Sequence, residues 1–551
     1  VEEHVALRNL NVRARRLASG AALLLCLGAA PAAQAATCPE SVHTADFATA
    51  QQLRDWTRAV NRYGPRILGS PAHDKAVKWL KRQAESIDGV TTRYDRYRIY
   101  RWLPRTRVQR GPGLDISRAG RITLTQADGS TVDVPAAGAI HWSKPTRKKG
   151  QSGQLVYLDA DQAITPENAG GRVVLRDFPK NSIPYVLFQA IGIYITPDLL
   201  NDPGSYERPY LGGGTIHDTL LAAGKAGAAG VIFAFDVPRD QVEGYYDPHT
   251  GTIYSVPGVF VGSAEGARLK AAAAQGGSAS VTVRAKVGRA MTRSLIATVP
   301  GASPEKISLL ANTDGNSWVQ ENGIVGMLAL ARYYGSLPME CRPRTLELAF
   351  TSAHDAIVED GGQRYVTTLN EEYAQGMVAF GFAIEHLGTR EILARGEGAD
   401  RRLEFTGLGD VFLFAAGDSD VLKQAAASAT QRRNLDRTAV LRGVDVPNDA
   451  RVPPVCSMGG LGNFYHRNLI PTLAMISGPW SLYDPVFGAE AIDFDRMRNQ
   501  VLAAGDAILA LAGLPRERIA GDYLEYRTRL AQGAPTCPLE IYPQFGPGPG
   551  E

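Results

Sequence analysis

Asn312, Asp314, Glu321, His354, Asp355, Glu385 and Tyr483 stand where short apolar runs of this chain give way to polar turns. Carboxylates and imidazoles are ordinary zinc ligands, and a carboxylate beside a bound cation can take a proton from water. The chemistry implied is metal-assisted hydrolysis. Glu321, His354 and Glu385 supply three ligands, the number a catalytic zinc uses while keeping one position open. Asp355 and Asp314 are further carboxylates beside them, and Asn312 and Tyr483 can hydrogen-bond a substrate. His386 follows Glu385 directly. Successive side chains of a strand point to opposite faces, so both reach one metal only if the strand has already ended.

These residues need rigid elements behind them. Residues 307–311 form an apolar run of buried-strand type that stops in Asn312-Thr313-Asp314-Gly315. After Glu321-Asn322-Gly323, the spacing of Ile324, Met327, Leu328 and Ala331 predicts a helix. Residues 344–350 predict a second strand ahead of His354, residues 376–388 a third ending in Glu385-His386-Leu387-Gly388, and residues 469–476 a fourth ahead of Tyr483. Polar groups at the ends of such strands sit at the crevice where open α/β sheets hold ligands.

The stretch 306–334 resembles the core of the di-zinc aminopeptidase and glutamate carboxypeptidase-like metallopeptidase family, in which a strand runs into His-x-Asp and a later turn carries a bridging carboxylate. Here those slots read Asn312-Thr313-Asp314 and Glu321-Asn322-Gly323. Gly362-Gln363-Arg364-Tyr365-Val366 resembles that family's Gly-Ser-x-x-Tyr-Val helix, and Ile470-Pro471-Thr472 its last core strand. The resemblance implies a three-layer α/β/α sandwich with a mostly parallel central sheet and an inserted β-rich α/β protease-associated domain. It divides the chain into a peptidase-like part at 38–150, the insert at 151–290, a second peptidase-like part at 291–535 and a tail at 536–551. Asn312 replaces a ligating His, the Glu-Glu slot reads Ala353-His354-Asp355, and no His follows residue 476. Mapped onto that family, Glu321, His354 and Glu385 are the implied ligands, better suited to one zinc ion than two, with Asp355 in the base slot and Asp314 in that of the orienting Asp.

The rest of the chain narrows the classes. The 59 basic and 56 acidic residues give no polyanion-binding surface, so nucleic acid is not an expected partner. Arg13, Arg15 and Arg16, an apolar run at 21–27 and Ala33-Gln34-Ala35 have the order of a cleaved export signal over 1–37, and hence of a secreted protein. No later run approaches the roughly 20 apolar residues of a membrane span. Export leaves Cys38, Cys341, Cys456 and Cys537 in an oxidising compartment; four cysteines permit three pairings. Closure of the chain ends by Cys38–Cys537, with Cys341–Cys456 as the second bridge, is the expected one. Ser70-Pro71 starts a helix, and His73 in its first turn is expected at the surface.

Two functions fit. One is an exported, one-zinc hydrolase of peptides or small amides. The other is a peptidase homologue without activity, kept as a peptide- or protein-binding module. Retained carboxylates at strand ends favour the first, and Asn312 the second. Side-chain preference and oligomeric state are not encoded in any motif here.

Overall fold

A computed structural model of the chain describes residues 38–106, 114–247, 252–354, 356 and 360–537. The export-signal reading at 1–37, Asp355, and the tail beyond 537 lie outside the described residues. Two sheets organise the rest. The larger has nine strands: β1 (Thr91–Pro104), β2 (Gly192–Ile195), β3 (Ala285–Val299), β4 (Ser303–Asn312), β5 (Arg344–Thr351), β6 (Val378–Ile384), β7 (Phe412–Ala416), β8 (Thr438–Leu441) and β9 (Thr472–Ser477). Their spatial order is β1-β3-β5-β4-β6-β9-β7-β8-β2. The sheet is mixed, but its centre, β5-β4-β6-β9, is parallel throughout.

Those central strands are apolar along their length because both faces are covered. Leu309, Ala311 and Phe382 face α1 (Gly323–Ser336) and α3 (Phe494–Ala512) on one side. Leu310, Ala349, Ala383 and Ala474 face α2 (Gly361–Ala374) on the other. Strand alternation thus sorts neighbouring residues of one run into two cores. The result is the three-layer architecture expected from the sequence.

The second sheet holds eight strands and draws on residues 120–283. It starts ahead of residue 151 because Gly120–Thr125 pairs antiparallel with Ser278–Val283, placing Ile122 opposite Val281. One excursion returns to the larger sheet: β2 pairs antiparallel with β8, Tyr194 opposite Val440. Among the described residues no helix is long and apolar enough to cross a membrane.

The disulfides correct the expected pairing: they are Cys38–Cys341 and Cys456–Cys537. Packing of the chain ends explains both. The Val42 N–H donates to Asp506 Oδ1 and the His43 N–H to Tyr333 Oη, which docks the start of the fold beside the end of α1, just before Cys341. At the other end Val452 bridges Thr536, bringing Cys456 to Cys537. Non-reducing peptide mapping should recover these two linked pairs. Because they span 303 and 81 residues, removing either should cost about 2–4 kcal/mol. A Cys38–Cys537 peptide would contradict this connectivity.

Candidate metal centre

Asn312, Thr313 and Asp314 follow the buried run of β4 and are themselves fully buried. The loop to α1 is held by Arg66, which donates through Nε to the Thr313 carbonyl at 3.0 Å and through Nη2 to the Gln320 carbonyl at 2.6 Å. Asn316 Nδ2 and Ser317 Oγ tie the same loop to the carbonyls of Tyr483 and Leu482. At its end Glu321 takes a left-handed conformation, φ 60°, an uncommon one for a side chain with a Cβ. That turn sends the carboxylate back over β4, where Oε2 accepts the Asn312 backbone N–H at 3.2 Å.

The neighbouring strand supplies two more groups. β6 stops at Ile384, and His386 sits at φ 49°, so strand alternation no longer separates it from Glu385. Asn322 fixes the turn by accepting the Leu387 N–H and donating to the Leu387 carbonyl. Glu385 Oε1 accepts the Leu461 N–H at 2.6 Å. His386 Nδ1 donates to the Ser477 carbonyl at 2.8 Å, while Ser477 Oγ donates to the His386 carbonyl. Glu321, Glu385 and His386 each offer a ligand atom within 4.8 Å of the others, and all three are buried.

This donor set fits a cation. With Nδ1 donating to the Ser477 carbonyl, His386 aims Nε2 at Glu321 Oε1, 3.5 Å away, where a proton or a cation can stand between them. Both atoms are buried with no hydrogen-bond partner among the described residues. A metal-binding His ordinarily anchors its second nitrogen on such a carbonyl.

Electrostatics agree. Burial pushes the Glu385 carboxyl well above the usual carboxylate range, and the nearby Glu321 and Asp360 charges add to it. Burial acts on Glu321 in the same direction, but the His354 and His386 imidazoles outweigh it and hold that carboxyl below its ordinary value. Asp360, at the N-terminus of α2, is pushed up to about 7 by burial, and by the charges of Asp314 and Glu321, against the Gly362 N–H that it accepts.

The sequence-derived positions divide accordingly. Glu321 and Glu385 come together. His386 joins them, and His354 stands beside them with Nε2 3.6 Å from Glu321 Oε1. Asp314 lies close enough to Asp360 to raise it, and Asn312 abuts Glu321. The Tyr483 ring packs edge-on to Tyr245 in the seam between the sheets, its carbonyl accepting from Asn316 and Tyr246. His73 is corrected from the surface to the interior. It is 2% exposed and bonds Thr313 through Nε2, and burial beside Arg66 lowers it to about 3. Asp360 was missed, although an Asp directly ahead of Gly361-Gly362 and an apolar helix is a capping signal. His386 carried a signal too, because Gly388 marks the chain turning away from strand geometry.

No protein-family model matches the sequence, and no curated protein matches it. Solved structures do. Over 84% of this chain the fold is shared with three bacterial proteins. These are an aminopeptidase from Aneurinibacillus sp. strain AM-1 (17% identity, 94% of that chain, TM-score 0.52), the zinc aminopeptidase BSAP from Bacillus subtilis (16%, 94%, 0.56) and a peptidase M28 precursor from Shewanella amazonensis SB2B (15%, 95%, 0.54). The chain therefore has the fold of the M28 zinc aminopeptidases, and identities this low define the fold alone.

Proposed function

We propose that this protein is an exported, one-metal hydrolase of peptide or related small amide bonds. The observation that carries the reading is the buried cluster in which Glu321, Glu385 and His386 each offer a ligand atom within 4.8 Å of the others, with Glu321 Oε1 3.5 Å from His386 Nε2. Glu321, Glu385 and His386 would hold a zinc ion, with His354 against Glu321. When bound, zinc supplies Lewis acidity toward a carbonyl oxygen and lowers the pKa of water. The chain's own groups do the rest. Asp360, with a pKa near neutrality, takes the proton of the attacking water as its oxygen bonds to the carbonyl carbon. The same proton then passes to the departing amine as the C–N bond breaks. Two disulfides are consistent with an oxidising, extracytoplasmic location.

Metal analysis of the purified full chain, followed by aminoacyl and N-acyl amide substrates with and without chelator, tests the reading. Stoichiometric zinc with chelator-sensitive turnover supports it. Absence of both favours the binding-module alternative.

A pH dependence follows from Glu385. Burial and the neighbouring Glu321 charge raise its pKa in the metal-free protein, whereas ligation requires the carboxylate. Below that raised pKa zinc binding should release a proton from Glu385, so apparent affinity should rise with pH there. Calorimetry in buffers of different ionisation enthalpy counts the proton. Affinity independent of pH would show that Glu385 does not ligate.

A further inference from the structure

Asn312 is fully buried at the end of β4, and one side-chain bond holds its amide. Thr351 Oγ1, opposite it on β5, donates to Asn312 Oδ1 at 2.6 Å. The acceptor end of the amide is thus used. The donor end, Nδ2, is buried with no hydrogen-bond partner among the described residues. A buried N–H left unpaired is costly unless something outside the fold completes it. Register shows where this one lies. Leu310 pairs with Ala383 on β6, so two residues further along Asn312 and Glu385 are same-face neighbours on strands about 4.8 Å apart. The Asn312 backbone N–H meanwhile bonds Glu321. The amide therefore stands against two of the proposed ligands while offering no lone pair to a cation, because its nitrogen pair is delocalised into the carbonyl. It suits an anion.

We propose that Asn312 Nδ2 donates a hydrogen bond to the substrate carbonyl oxygen as that oxygen becomes negatively charged, and that Thr351 is the positioning residue that keeps the donor end inward. This rests on the hydrolase reading above. As the water oxygen bonds to the carbonyl carbon, the C=O π pair moves onto oxygen and the water proton goes to Asp360. When the C–N bond breaks, the pair returns to C=O and the proton leaves with the amine. A donor fixed in place before the charge develops strengthens with it and favours the tetrahedral state over the planar amide.

The test uses the zinc-loaded full chain and two probes: a phosphinic pseudo-dipeptide, which is tetrahedral and anionic, and a free amino acid. Asn312→Ala should weaken the phosphinic probe about 100-fold, leaving zinc stoichiometry unchanged and amino-acid binding within about twofold. Asn312→Asp, which keeps shape and the Thr351 contact but loses the donor, should weaken it at least as much and covers the case in which the Ala variant does not fold. Thr351→Val, which frees the amide to turn, should give an intermediate loss. If zinc is bound but the phosphinic probe binds the variants as well as the parent, or does not bind the parent, this inference alone is overturned. If the parent binds no zinc, the hydrolase reading falls and the inference with it.

Discussion

Glu321→Gln is expected to abolish metal retention and to reduce kcat/KM by on the order of 1000-fold or more, a loss of several kcal/mol of transition-state stabilisation. Glu321 is the common neighbour of the site. One oxygen accepts the Asn312 N–H, and the other faces both His386 and His354. The amide of Gln keeps the volume but removes the charge that holds a cation among buried groups. The fold should survive, since a neutral group there relieves the repulsion between Glu321 and Glu385. Zinc content, kcat/KM and the thermal midpoint of the same preparation check this together. A variant that keeps its metal and turnover would show that the centre lies elsewhere.

Gly323→Ala should prevent α1 from docking natively against the end of β6, with a destabilisation of about 4 kcal/mol or more. A Cβ at this first residue of α1 would lie 1.8 Å from the Ile384 carbonyl oxygen. The Ile384 carbonyl belongs to the end of a central parallel strand, so it cannot yield to the new Cβ on α1 without displacing the adjoining Glu385 from the site. Gly326→Ala is the informative control. Its Cβ would meet Leu387 Cδ1 at 2.9 Å and Val501 Cγ2 at 3.0 Å, the far ends of side chains that can shift. The expected contrast is loss of soluble folded protein for the first and a modest drop in midpoint for the second. Equal behaviour would show that α1 does not abut β6 so closely.

The central strands were legible because burial on both faces leaves an apolar run with an abrupt polar stop, as at Ala311-Asn312 and Ile384-Glu385. Those stops also exposed Glu321 and Glu385. His386 was hidden by the alternation rule, which holds only while backbone stays extended; one left-handed residue after Ile384 cancels it. His73 was hidden because its helix start looks solvent-facing in isolation, whereas Arg66 and Thr313, 240 residues away from it in the latter case, close over it. The disulfides failed for a related reason. Nearness to the chain ends says nothing of where those ends dock, and Cys38 docks by α1 through Val42 and His43.

The most direct measurement is anomalous scattering at the zinc edge from crystals of the full chain, combined with metal stoichiometry in solution. The account predicts one ion per chain, bound by Glu321, Glu385 and His386. An empty cluster at saturating zinc, or an ion held by other residues, would contradict it.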